Sequence, residues 1–243
     1  MAYVLIIGAK SDIAMALARK YAESGHDLYL AARKPEELRG FANDLKIRSQ
    51  KDIRLLALDI LDFSSHDGFY RSLDQKPSGV ISVVGYLGEQ VKAQSEFTEA
   101  HRIIDTNFTG VVSLLNIVAD DFEARKEGFI VGISSVAGDR GRKSNYIYGS
   151  AKAAFTTYLS GLRNRLHDAG INVLTVKPGF VATKMTEGMD LPGALTAQAD
   201  EVAKDIFEAQ QKKQDVIYSK WMWRWIMSII NNIPEWIFKK TSI

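Results

Sequence analysis

Residues 130–155 read IVGISSVAGDRGRKSNYIYGSAKAAF. An apolar run of strand length opens the stretch, and a polar segment follows. From residue 147 the pattern turns helical and continues to Gly170, a common C-terminal stop. Strand, loop and long helix make one crossover unit of a parallel α/β sheet. Tyr148 and Lys152 are four residues apart, so on that helix they share one face, one turn from each other. An ammonium beside a phenol favours the phenolate and is expected to lower a tyrosine pKa that is about 10 when unperturbed. A tyrosine tuned that way exchanges a proton near neutral pH. Ser135 follows the strand-like run and can return its hydroxyl to the tyrosine. The trio suits a carbonyl being reduced or an alcohol being oxidised. A Tyr and a Lys at this spacing also occur on helices by chance, so the longer string carries the weight.

Working outward, short apolar runs alternate with amphipathic ones. Strands are expected at 3–7, 28–32, 53–58, 80–84, 129–134, 171–176 and 215–218. Helices are expected at 13–23, from Pro35 onward, from about 99 to 125, at 147–169 and at 200–211. Continuous apolar strands alternating with helices describe a parallel sheet covered on both faces. The expected fold is α/β: one doubly wound, Rossmann-like domain over residues 1–219, followed by an apolar, Trp-rich appendage at 220–243.

The bulk numbers bound the function. A chain of 243 residues with 46% hydrophobic residues can build a full core. Its net charge of +2 argues against nucleic-acid binding by bulk charge. There is no cysteine, which excludes disulfides and thiolate chemistry. His26, His66, His101 and His167 are scattered, so no metal site is expected. The start, MAYVLIIGAKSD, reads as a buried strand and not a signal peptide. No run of about 18 uncharged apolar residues is present, so a spanning helix is not expected. A cytoplasmic location fits best.

The string at 130–155, together with KPGFVAT at 177–183, resembles the short-chain dehydrogenase/reductase family. That family's signature is Tyr-x-x-x-Lys with a serine about a dozen residues before it. The resemblance implies a nicotinamide dinucleotide and a carbonyl or alcohol substrate. Tyr148 would donate a proton to the carbonyl oxygen, and Ser135 would hydrogen-bond the same oxygen. Lys152 would lower the tyrosine pKa and hold the nicotinamide ribose. Asn107, in DTNFTG, matches the asparagine that holds a water behind the lysine.

The implied cofactor residues begin at Gly8, Lys10, Ser11, Asp12 and Ile13, where the first strand meets the first helix. Family members usually carry Gly-x-x-x-Gly-x-Gly there. Here only Gly8 matches, and Asp12 and Ala14 replace the other glycines. Asp12 brings a carboxylate near phosphate unless it caps the helix. The second strand ends in Ala31-Ala32-Arg33-Lys34, without the acid that favours NAD. Arg33 is placed to pair with a 2′-phosphate and Lys10 to reach the same region, so NADP(H) is favoured over NAD(H). Asp59 and Ile60 match the adenine contacts. Gly85 is what remains of the family's Asn-Asn-Ala-Gly. Pro178, Gly179, Val181 and Thr183 fall where the family contacts the nicotinamide.

Trp221, Trp223, Trp225 and Trp236 all fall in the last stretch, with Lys220, Arg224, Lys239 and Lys240 around them. Such a tail lies at a membrane interface, or packs on its own domain or on a partner subunit in a homo-oligomer. The degenerate glycine loop and basic-ended tail are similar to the decaprenylphosphoryl 2-keto-erythropentose reductases. That similarity implies a lipid-linked or otherwise apolar carbonyl substrate, with peripheral contact to the inner face of a membrane. The competing reading is a catalytically idle NADP-binding sensor or scaffold. The altered loop favours it, and the intact Ser135, Tyr148, Lys152 and Asn107 oppose it.

Overall fold

A computed structural model describes residues 2–241. From β1 (Tyr3–Ile7) the chain enters α1 (Asp12–Glu23), β2 (Asp27–Ala32), α2 (Arg39–Ser49), β3 (Ile53–Ala57) and a short α3 (His66–Arg71). The second half runs through β4 (Gly79–Ser82), α4 (Gln90–Ser95), α5 (Phe97–Ile104), α6 (Gly110–Arg125) and β5 (Phe129–Ile133). It continues through α7 (Tyr146–Leu166), β6 (Asn172–Pro178), β7 (Phe180–Ala182), β8 (Thr196–Gln198), α8 (Ala199–Gln211) and β9 (Val216–Ser219). Two tail helices follow, α9 (Met222–Asn232) and α10 (Glu235–Phe238).

Seven strands form one parallel sheet in the order β3-β2-β1-β4-β5-β6-β9. The central strands β1, β4 and β5 are mainly apolar because both faces are covered. In β1, Val4 and Ile6 face the layer of α1 and α8, with Leu17, Tyr21 and Ile206. Tyr3, Leu5 and Ile7 face α6 and α7, with Leu114, Leu115, Phe155 and Leu159. The sheet order reverses between β1 and β4, which opens a crevice at the carboxyl ends of these strands. The doubly wound expectation holds.

Three features differ from the expected elements. The helix expected from residue 99 begins at 97 and is interrupted by a π turn at Asp105–Thr109. One extra residue per turn widens the helix there and swings Asn107 inward. The fused stretch 97–125 is long and apolar enough to cross a membrane, but Val111, Leu114, Leu115 and Val118 lie in the core against the sheet. Second, a two-stranded parallel sheet, β7 with β8, brackets an irregular segment that crosses the mouth of the crevice.

Third, the tail is half structural. Trp223, Met227 and Ile230, at helical spacing on α9, are buried with Val136 against Phe180, Leu195 and Tyr218. The Trp223 indole N–H donates to the Leu195 carbonyl at 3.1 Å, and its ring lies edge-on to Phe180. Gly179 admits it: a Cβ there would sit 1.9 Å from the indole. Arg140 donates to the Ile230 and Ile233 carbonyls and pairs with Glu235 at 2.9 Å. The opposite face, Trp221, Trp225, Ile229 and Trp236, is exposed.

Candidate active site

The crevice is a cavity of ≈ 810 Å³. Lys10, Ser11, Asp12 and Ile13 line one end. Gly85, Ser135, Tyr148 and Lys152 line its middle, and Pro178, Gly179, Val181 and Thr183 the β6 side. Gly8, Arg33, Asp59, Ile60 and Asn107 do not line it. Gly8 makes the turn beneath it: its φ is +81°, and a Cβ would approach the Val83 backbone to 3.0 Å. Arg33 is exposed just past β2. Asp59 is exposed too, its carboxylate accepting the Leu61 N–H at 3.0 Å. Ile60 is buried, and its carbonyl lies against Gly110.

Tyr148 and Lys152 sit on α7 as the spacing predicts, with the Lys152 ammonium 5.8 Å from the tyrosine ring centre. The ammonium donates to the Val84 carbonyl at 3.2 Å and the Ile133 carbonyl at 3.0 Å. Ser134, beside the candidate serine, bonds the Lys152 carbonyl at 3.0 Å and fixes α7 to β5. Ser135 accepts the Ala137 N–H at 3.1 Å.

The expected lowering of the tyrosine pKa is corrected. Burial pushes the Tyr148 phenol up to about 12, with a Ser135 hydrogen bond pulling the other way. Burial brings Lys152 down to about 7. Desolvation by burial disfavours both charged forms. A folded-state lysine pKa below its unfolded value means the unfolded chain binds more protons between about pH 7 and pH 10.5. Stability therefore rises with pH across that window and falls again as pH drops towards 7. Between pH 7 and pH 9 the melting temperature of the wild type should gain on that of Lys152→Met. The expected gain is on the order of 2 kcal/mol, or roughly 4–8 °C. A constant difference across that range would refute the shift.

Asn107 is fully buried at the π turn. Its Nδ2 donates to the carbonyls of Tyr86 at 2.7 Å and Ile103 at 2.8 Å, and its Oδ1 accepts the Tyr86 N–H at 3.2 Å. Here it clamps the segment after β4, and Lys152 holds the same segment at Val84. Glu99 completes the clamp. Its buried carboxylate accepts the Tyr86 hydroxyl at 2.7 Å and the Glu89 N–H at 3.3 Å, and these bonds hold it below the usual carboxylate range. Arg102 stacks on the Tyr86 ring at 4.4 Å. This network braces the segment after β4, and sequence reasoning missed Tyr86 and Glu99.

Asp12 does not cap α1. Ser11 occupies the N-cap position, and no side chain caps the helix among the described residues. The Asp12 carboxylate instead accepts the Lys184 N–H at 2.8 Å and ties the segment after β7 across the mouth. Ser11, Asp12 and Ile13 at the start of α1 line the cavity, and a helix N-terminus without a side-chain cap is where a phosphate is best bound. Lys10 lines that end, but its ammonium pairs with Glu37 on the exposed surface and does not stand free beside Arg33. Turn, helix N-terminus and cavity together fit a dinucleotide.

The family model for short chain dehydrogenases matches residues 2–191. An uncharacterised oxidoreductase of Mycobacterium tuberculosis is 33% identical over 240 residues, covering 98% of this chain and 96% of the relative. One from Streptomyces coelicolor is 29% identical over 245 residues, covering 99% and 96%. Among solved structures, a short-chain dehydrogenase from Sphingobium yanoikuyae in complex with NADPH superposes with a TM-score of 0.82 at 25% identity, over 97% of each chain. A bulky-bulky ketone specific alcohol dehydrogenase from Comamonas testosteroni shares the fold, with a TM-score of 0.80 at 23% identity, over 97% and 96% of the two chains.

Proposed function

We propose that this chain, which belongs to the short-chain dehydrogenase/reductase family of NAD(P)-binding oxidoreductases, reduces a ketone or aldehyde to an alcohol with NADP(H). The observation that carries the reading is the convergence of Ser135, Tyr148 and Lys152 on one wall of a cavity that opens at an uncapped helix N-terminus. When bound, the nicotinamide supplies the hydride. The chain's own residues manage the oxygen. Tyr148, protonated at neutral pH, donates its proton to the oxygen as charge develops there. Ser135 offers a second hydrogen bond to that oxygen. Lys152, fixed by two carbonyls one helical turn from Tyr148, would hold the nicotinamide ribose. The reverse oxidation uses the same groups, with Tyr148 accepting the proton. Consumption of NADPH by a panel of ketones tests this, and the absence of any turnover would favour the idle sensor.

The preference for NADP(H) rests on Arg33 and on the lack of an acid at the end of β2. A charge-assisted hydrogen bond to a 2′-phosphate contributes about 1.5–3 kcal/mol. NADPH should bind more than tenfold tighter than NADH by calorimetry, and Arg33→Ala should abolish most of that difference. Equal wild-type affinities would refute the assignment.

The exposed face of the tail fits a membrane surface and an apolar or lipid-linked substrate. Trp221, Trp225, Ile229 and Trp236 point outward, with Lys220, Arg224, Lys239 and Lys240 around them. Aromatic rings favour the headgroup region, and each basic residue contributes about 1 kcal/mol near anionic lipid. The protein should sediment with anionic vesicles, less so at high salt. Replacing Trp221, Trp225 and Trp236 by serine should release it without unfolding. If those variants disrupt a homo-oligomer and vesicles bind nothing, the face is a subunit contact.

A further inference from the structure

Arg142 lies in the loop between β5 and α7, about midway between Ser135 and Tyr148 in the chain. It lines the same cavity and is only 9% exposed. Among the described residues its guanidinium has one hydrogen-bond partner, the thioether sulfur of Met227 on α9 at 3.2 Å. A thioether is a weak acceptor. The Nε–H is buried with no partner. Asp139 is the carboxylate near enough to act on the charge, yet it is held by Lys177 at 2.6 Å and the Tyr218 hydroxyl at 2.8 Å. Arg140, two residues earlier, shows the contrast: it has two carbonyls, Glu235 and the Phe238 ring. A structural arginine has its acceptors in place. Arg142 is a buried cation without them, and burial pushes its guanidinium below the usual value, as expected of an uncompensated charge.

Two neighbours share the deficit. Gln90 and Asn145 also line the cavity, and Gln90 Nε2 and Asn145 Oδ1 are buried without partners. Gln90 Oε1 accepts the Ile147 N–H at 3.2 Å, which leaves its amide hydrogens unused. Most remaining buried polar groups in folded proteins are paired, so three orphans around one cavity mark a place where a ligand supplies the partners. Leu87, Val91, Val136, Phe180, Met185 and Met189 add apolar lining to the same cavity.

We propose that Arg142, with the Gln90 amide N–H, binds an oxyanion carried by the carbonyl substrate, so that the cavity selects an amphiphilic ketone bearing a carboxylate or phosphate, while the Asn145 Oδ1 is left to accept from a hydroxyl or water beside it. The proposal rests on the carbonyl-reductase reading and names the substrate class of that site. A planar guanidinium matches such a group bidentately, and the charge that is uncompensated in the free protein becomes paired. Met227 seats the guanidinium, which links α9 to substrate selection.

The test compares 4-oxopentanoate, 5-oxohexanoate and 6-oxoheptanoate with their methyl esters, using NADPH and the full chain. At one or more lengths the wild type should favour acid over ester at least tenfold in kcat/KM. Arg142→Met should lower that ratio at least tenfold, mainly by raising KM for the acid, and Arg142→Lys should restore part of it. Because the Met variant removes an uncompensated charge, its melting temperature should not fall below the wild type's. If it does, the Lys variant alone decides. A wild-type ratio near one at every length, or equal losses on acid and ester, overturns the proposal. A second arm measures calorimetric binding of hexanoate and of inorganic phosphate, which separates a carboxylate from a phosphate ligand. Arg142→Met should weaken one of them at least tenfold. If no ketone is reduced but that loss is seen, the reductase reading fails and the anion site stands. If both bind the variant as they bind the wild type, the anion site is refuted.

Discussion

Tyr148→Phe is expected to lower ketone turnover at least about a hundredfold, the scale usual for a lost general acid. That corresponds to about 2.7 kcal/mol of barrier. Phenylalanine keeps the ring, which packs with Ala93, Ala100 and Ile103 beneath the cavity, so the fold and the cofactor site should persist. Only the hydroxyl is lost. It is the group that burial holds protonated, and it lies beside Ser135. The affinity for NADPH, measured by fluorescence or calorimetry, should change little. If the variant turned over within a few fold of the wild type, the proton would come from elsewhere and Tyr148 would be a packing residue. Loss of NADPH binding together with turnover would also count against the assignment, because it would mean the ring and not the hydroxyl was critical.

Trp223→Ala is expected to destabilise the protein by about 3–5 kcal/mol, as large-to-small core changes do. The indole is 4% exposed, lies 5.3 Å from the Phe180 ring centre, and satisfies the Leu195 carbonyl. Its removal leaves a cavity and an unpaired acceptor. It also removes the surface on which Gly179 and Phe180 rest, and both line the crevice, so KM should rise as well. Trp221→Ala provides the comparison. That side chain is 71% exposed, and its loss should stay within about 0.5 kcal/mol. Urea denaturation of the two variants measures the difference directly. Equal stabilities would mean that α9 is not part of the folded core, and the view of the tail as half structural would fail.

Much of the architecture was legible because the strands are buried on both faces. Their runs are mainly apolar, although Arg54 breaks the edge strand β3, and the turns beside the helices carry ordinary signals: Pro35 opens the tight turn that leads into α2, and Gly170, at φ +75°, closes the turn after α7. The spacing of Tyr148 and Lys152 was legible for the same reason: a helix converts four residues into one turn. What escaped is tertiary. Asp12 meets Lys184 across 172 positions, and nothing local announces that contact. The π turn at Asn107 adds a residue to a helical turn without changing the apolar pattern enough to notice. The sign of the Tyr148 shift depends on how little water remains around it, which chain spacing does not encode. The two-faced tail was partly readable. Trp223, Met227 and Ile230 fall on one helical face, and Trp221, Trp225 and Ile229 on another, but composition alone merges them. Arg142 carries no motif. Its meaning lies in the partners it lacks.

The most direct measurement is the fate of the hydride. A ketone that is consumed with NADPH should be reduced with NADPH deuterated at the transferring position of the nicotinamide, and the alcohol examined by NMR and mass spectrometry. The account predicts one deuterium on the carbinol carbon per NADPH oxidised, and a rate that collapses in Tyr148→Phe while NADPH still binds. NADPH that binds but yields no labelled alcohol with any ketone, or labelled alcohol formed equally fast by the variant, would contradict it.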